Sequence, residues 1–306
     1  MSMKIQFLNG GLANQAFQYI FAKHYELSFP GECMYLDDSY FAIHTVHNGY
    51  ELDKVFGIKP HFLSECFDDE VWAYMLEEKQ KGKSIPQILN ENEIPMYMIS
   101  EVGDRHKIFN PFNGNVVPID CGLYIPSILQ VKSNVYYHGY WINKWWMETY
   151  KAQFLEEFTF PIIQDSYNKE LEKMIKDSHS VSIHIRRGDY VSLNFAYGLS
   201  HYYELVQMFR RALENTENME KDVKNWKLFV FSDDISWCRE NRKEMGFDVF
   251  EETFFVEGNM GGRNYIDLQL MSQCEAMMIC NSAFSYLAAL LNTRRKLVIN
   301  PTTREV

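Results

Sequence analysis

Residues 181–190 read Val-Ser-Ile-His-Ile-Arg-Arg-Gly-Asp-Tyr. A short alternating apolar run delivers two adjacent guanidinium groups, and a carboxylate follows them closely. Planar guanidinium donors match phosphate oxygens two at a time, so Arg186 and Arg187 suit a diphosphate. The same residues also fit two surface arginines tethered to Asp189 at a strand end, and these ten positions alone leave both readings open. Two other clusters share this character. Ser232-Asp233-Asp234 ends a second apolar run, where a carboxylate could accept from a ribose hydroxyl or a guanine edge, or simply cap the next helix. Asn281-Ser282-Ala283-Phe284-Ser285 follows a third run, where hydroxyls and N–H groups at a helix start could hold phosphate. Ordinary capping by Ser282 is equally good physics. Ligands of open α/β sheets collect at the carboxyl ends of strands, so three such clusters on successive strand exits weigh more than any one.

The elements that must position them follow from periodicity. Alternation puts Val181, Ile183 and Ile185 on one strand face and His184 and Arg186 on the other. Strands are expected over 181–186, 228–231, 248–251, 277–280 and 296–300. Between them helices are expected over 201–214, opened by Ser200 as N-cap, and over 235–245, 265–275 and 283–292. Strands alternating with helices imply a parallel, doubly wound sheet. Nearer the start, a strand at Lys4–Leu8 runs through Asn9-Gly10-Gly11 into a helix over 12–27, buried on much of its circumference. That turn is a contact point for an anion or a carbohydrate, although it matches no nucleotide fingerprint. Residues 61–135 read as short helices and loops. Tyr136 to Trp141, with Trp145 and Trp146, form an aromatic block that is either core or a sugar-stacking wall. A boundary within 150–175 divides the chain into an N-terminal domain over 1–160 and a C-terminal domain over 161–306.

Composition narrows the class. The 306 residues are 46% hydrophobic and 15% aromatic, which excludes general disorder. A net charge of −11 argues against a nucleic-acid binder, while leaving room for a local anion pocket. The six cysteines show neither C-x-x-C pairing nor zinc spacing, so reduced thiols in a cytoplasmic protein are expected, with no metal. The first residues run directly into a strand pattern, so no signal peptide is expected. No apolar run approaches the ~20 residues that span a bilayer, so any membrane association is expected to be peripheral. Gly261-Gly262-Arg263 reads as a solvated turn.

These motifs resemble a known family. His184-Ile-Arg-Arg-Gly-Asp189 is similar to the His-x-Arg-Arg-x-Asp motif of α-1,2-, α-1,6- and protein O-fucosyltransferases. Gly10-Gly-Leu-Ala-Asn-Gln-Ala-Phe-Gln-Tyr19 resembles the opening of the α-1,2-fucosyltransferases, glycosyltransferase family 11. Gly139-Tyr-Trp141, Phe231-Ser-Asp-Asp234, Asp267-Leu-Gln-Leu-Met-Ser272 and Asn281-Ser-Ala-Phe-Ser285 follow in that family's order. The resemblance implies a GT-B-like α/β architecture, two Rossmann-like domains facing across a cleft. It implies inverting, metal-independent transfer of fucose from GDP-β-L-fucose to the 2-hydroxyl of a terminal galactose on a glycan acceptor. No cofactor is implied, GDP-fucose being a substrate. Carried over by position, Arg186 would act on the β-phosphate with Asp189 beside it. Donor contacts would come from His184, Arg187, Asn14, Ser232, Asp233, Asp234, Asn281, Ser282 and Ser285, and acceptor-side contacts from Gln15, Tyr140 and Trp141. The alternatives are an α-1,6-fucosyltransferase and a non-catalytic GDP-sugar or glycan binder. Departures from the pattern are Ala283, Tyr286-Leu287 and Ile142. Asn194 stands where the α-1,6 relatives carry a glutamate assigned as base, so the resemblance assigns no general base; Asp189 is a candidate for that catalytic role, or else holds the two arginines in place.

Overall fold

The computed structural model describes residues 2–44, 48–102, 116–120, 122–302 and 306. The chain divides into two compact units, Met1–Thr159 and Phe160–Val306, each built on a five-stranded, wholly parallel sheet. No helix among the described residues is long and apolar enough to cross a membrane.

In the first unit, strands β1 (Lys4–Phe7), β2 (Tyr35–Asp37), β3 (Tyr97–Val102), β4 (Val116–Asp120) and β5 (Val135–His138) lie in the order β2-β1-β5-β3-β4. The helix Leu12–Ser28 buries most of its surface, as the dense apolar spacing of its sequence predicts. Most of the aromatic block is core, namely Tyr136, Tyr137, Trp141 and Trp146, while Tyr140 is half-buried and Trp145 exposed. Trp141 stacks on Phe21 at 4.3 Å, Trp146 meets the same ring edge-on at 4.9 Å, and both indoles are fully buried. Residues 61–135 hold the expected short helices, Asp69–Gln80 and Ile85–Glu91, but also strands β3 and β4, which the reading as helices and loops left out. Tyr97-Met-Ile-Ser-Glu-Val102 breaks alternation because Ser100 and Glu101 are consecutive polar residues, both buried.

In the second unit, β6 (His179–Ile185), β7 (Trp226–Ser232), β8 (Glu252–Phe255), β9 (Ala276–Met278) and β10 (Leu297–Ile299) take the order β10-β9-β6-β7-β8. The chain leaves β6 toward one edge, then returns to build the other half from β9. This is a Rossmann-like order with its switch point between β6 and β9. Val181, Ile183 and Ile185 join one core with Tyr202, Phe209 and Trp226. Ser180, Ser182 and His184, on the opposite face, are buried as well, because a parallel sheet is covered on both sides. The strand expected over 248–251 lies at Glu252–Phe255 instead, since Gly246, in the left-handed region at φ 76°, opens a tight turn over Phe247–Val249. The helix expected over 201–214 begins at Leu199 with Gly198, not Ser200, as N-cap. The helices expected over 235–245 and 265–275 stop at Glu240 and Met271.

Candidate active site

The exits of β6 and β7 are locked together by ion pairs. Arg186 donates from Nη2 to Asp189 Oδ1 at 2.6 Å, and its Nη1 lies 2.8 Å from Asp233 Oδ2. The Arg187 backbone N–H donates to Asp233 Oδ1 at 2.8 Å, and its Nε donates to Asp234 Oδ2 at 3.1 Å. The Arg187 guanidinium carbon lies over the Trp237 ring, 3.7 Å from its centre, and the terminal nitrogens of Arg187 have no hydrogen-bond partner among the described residues. Asp234 has a double task, for its Oδ1 also caps the helix Ile235–Glu240 at the Trp237 N–H, so the capping alternative holds for this residue. Gly188 lets the two exits approach: a Cβ there would stand 2.5 Å from Asp233 Oδ2. Two guanidinium groups thus face three carboxylates, with the Arg186 side chain 35% exposed and that of Arg187 17%.

Beneath the arginines, His184 is only 6% exposed, and its Nδ1 sits 3.3 Å from Cys280 Sγ at the exit of β9. Burial, reinforced by the Arg186 charge, pushes the imidazole down to about 3. Burial likewise pushes the Cys280 thiol up to about 11. The pair is therefore neutral, and Cys280 lacks the thiolate an activated nucleophile requires. Ser285 accepts from the Cys280 backbone N–H and donates to the Ser282 carbonyl, both at 3.3 Å. Ser282 caps its helix through the Phe284 N–H. Asn281 donates to the Phe195 carbonyl, tying the β9 exit to the loop that follows the arginine motif. Ser232 accepts from the Asp234 N–H and remains half-buried.

The fold therefore gathers His184, Arg186, Arg187, Asp189, Ser232, Asp233, Asp234, Asn281, Ser282 and Ser285 at the switch point of one sheet. Other expected residues are engaged within the chain. Ser285, expected on phosphate, is fully buried with its hydroxyl committed to the chain, so it shapes the turn. Gln15, expected at the acceptor, is fully buried in the first unit, donating to the Gly10 and Gly49 carbonyls and accepting from the Glu51 N–H. Trp141, expected to stack on sugar, is enclosed and donates to Gln6 Oε1 at 2.6 Å. Neither presents surface to a ligand. Asn14 and Tyr140 are half-buried, Asn14 packed under Gly10 and the Tyr140 hydroxyl accepting from Asn9.

Three residues escaped the sequence reading. Trp237 and Gly188 act only through a three-dimensional neighbour, although Trp237 lies one helical turn after Asp234. Glu101 accepts from the Tyr140, Trp141 and Gly122 N–H groups at 2.6, 2.9 and 3.2 Å, so a buried carboxylate fixes the Gly-Tyr-Trp turn.

Comparison with known proteins agrees with this architecture. The family model described as Glycosyl transferase family 11 matches residues 125–305. The chain is 30% identical to an alpha-1,2-colitosyltransferase of Escherichia coli, over 99% of this chain and 92% of that one. It is 28% identical to galactoside alpha-(1,2)-fucosyltransferase 2 of Bos taurus over 46% of this chain and 40% of that one. Among solved structures, the NodZ alpha-1,6-fucosyltransferase co-crystallized with GDP superposes with a TM-score of 0.50 at 12% identity, over 95% of this chain and 93% of that one, a likeness of GT-B-like fold. Matched over more than half its length by one family and nearly end to end by a relative, the chain belongs to glycosyl transferase family 11.

Proposed function

We propose that the chain transfers L-fucose from GDP-β-L-fucose to the 2-hydroxyl of a terminal galactose on an oligosaccharide or surface glycan, forming an α-1,2 linkage with inversion. The observation that carries this reading is the paired guanidinium cluster at the switch point of the second sheet, where a diphosphate is met by two positioned forks. As the fucosyl–phosphate bond breaks, the GDP leaving group gains charge while the sugar takes on oxocarbenium character. Arg186, steered by Asp189 and Asp233, stabilises the β-phosphate oxygens in that transition state. Arg187 offers its free terminal nitrogens to the same diphosphate. Asp189, ion-paired to Arg186, is a positioning residue in this scheme. Ser232, Asp233 and Asn281 line the nucleoside side. The first unit takes the acceptor, with Tyr140 as a contact, and GDP-fucose is consumed as a substrate without a further cofactor. In this reading the reaction runs in the cytoplasm, at the inner face of the membrane when the acceptor is carried there.

A second donor is favoured by one observation: the relative at 30% identity is a colitosyltransferase. Colitose is the 3-deoxy analogue of fucose, so the same clamp would serve GDP-colitose. A GDP-release assay with both donors over a panel of galactose-terminated acceptors, followed by linkage analysis, tests these readings. Turnover with GDP-fucose giving a 1,2-linked product supports the main proposal. Turnover confined to GDP-colitose selects the second donor, and a 1,6-linked product or GDP binding without turnover overturns both.

A further inference from the structure

A separate cluster lies in the first unit, away from any residue used above. Glu26, in the last turn of the helix Leu12–Ser28, Cys33, leading into β2, and His61 each place a ligand atom within 4.8 Å of the other two. Their spacing in sequence carries no metal signature, and only the fold assembles them. The backbone under each is fixed. The His61 carbonyl accepts from the Leu36 N–H at 2.8 Å, and Phe62 bridges to Leu36 in parallel, so the segment at 61–62 extends the edge of the sheet beside β2. The Met34 N–H reaches Glu26 Oε1 at 3.4 Å. The Cys33 thiol is hydrogen-bonded to the Glu26 carboxylate and to the Tyr35 hydroxyl, which also meets Cys66. Glu26 and Cys33 are half-buried, while His61 is exposed and opens the group to solvent.

We propose that Glu26, Cys33 and His61 bind a zinc ion, which clips the end of the helix to the chain on both sides of the edge strand β2. The donor set decides the metal class. One thiolate, one imidazole and one carboxylate are the ligands zinc takes, whereas calcium and magnesium require oxygen shells. Tetrahedral bonds of about 2.0–2.3 Å separate neighbouring ligand atoms by about 3.3–3.6 Å. Closing from at most 4.8 Å therefore needs side-chain rotation on the order of 1 Å, which the exposed His61 and the long Glu26 can supply. Three protein ligands leave the fourth position to water on the His61 side. Lys23 Nζ, 3.4 Å from Glu26 Oε2, is the cation that zinc would displace.

The test uses the full chain, stripped with a chelator under reducing conditions and titrated with Zn²⁺ against a chromophoric competitor. One ion per chain is expected, with affinity falling about tenfold or more in Cys33→Ser and His61→Ala, and less in Glu26→Gln, which keeps the shape. Co²⁺ should give a thiolate charge-transfer band in the wild type and none in Cys33→Ser. Zn²⁺ should raise Tm of the wild type and leave that of the folded Cys33→Ser variant unmoved. Equal zinc affinity in wild type, Cys33→Ser and His61→Ala overturns the proposal, as does the lack of a cobalt–thiolate band. A Cys33–Cys66 disulfide in the protein as purified overturns it too.

Discussion

At the scale of single residues, the two arginines are not interchangeable. Arg186 is held edge-on by two carboxylates, and its replacement by alanine removes a preorganised donor from the leaving group. We expect kcat to fall by about 10²–10³, read as GDP release; retention of a tenth of the wild-type rate would refute that role. Arg187 is held over the Trp237 ring. Lysine there keeps the charge but loses the fork, so Arg187→Lys should raise the donor KM severalfold while changing kcat less. Parallel kinetics for the two variants would show that the geometry does not divide their work.

At the scale of elements, one glycine sets how closely β6 and β7 end. Gly188→Ala should leave the fold intact by circular dichroism, yet weaken GDP binding about tenfold or more, because the added methyl group meets Asp233 Oδ2. Unchanged affinity for GDP would show that Asp233 can move aside freely. In the first unit, Glu101→Ala strands three backbone donors, that of Trp141 buried and those of Tyr140 and Gly122 partly buried, and about 3 kcal/mol of stability should disappear in urea unfolding. The second sheet was legible because each apolar run ends in polar residues. Only β8 was misplaced, since Gly246 turns the chain before the strand begins. β3 was not legible, because Ser100 and Glu101 are polar residues whose partners lie elsewhere in the chain. The same blindness explains Gln15 and Trp141: a polar or aromatic residue in a motif looks alike whether it faces a ligand or holds a turn. The clamp residues were legible as types, but Trp237 and Gly188 became visible only with their neighbours in place.

At the scale of the whole molecule, buried titratable groups oppose one another in acid. Burial pushes His184 down to about 3 and His138 down to about 4. Against an unfolded value of about 6.5, the unfolded chain takes up these protons first, so their stabilisation is complete above pH ~6.5 and is lost as pH falls through that window. Asp267 works the other way. Burial pushes its carboxyl up to about 7, so the folded form keeps a proton that the unfolded chain has released, and that contribution fades as pH rises from ~4 through 7. Asp267→Asn keeps an acceptor for Asn259, which donates to Asp267 Oδ1 at 2.8 Å, and removes the titration. The variant should gain stability relative to the wild type between pH 5 and pH 8 in urea melts. Parallel curves would refute the assignment.

The pairing of two arginines with three carboxylates has a consequence for what the free enzyme ignores. The cluster brings its own counterions, so a small anion such as chloride finds only the terminal nitrogens of Arg187 unclaimed among the described residues. A ligand that also engages Arg186 must displace a carboxylate, and on the proposed reading a diphosphate, with two phosphoryl groups on one body, claims both forks together. Occupancy of the second unit is thus an exchange of anions. Its affinity for GDP should fall less steeply with added salt than that of two naked arginines would.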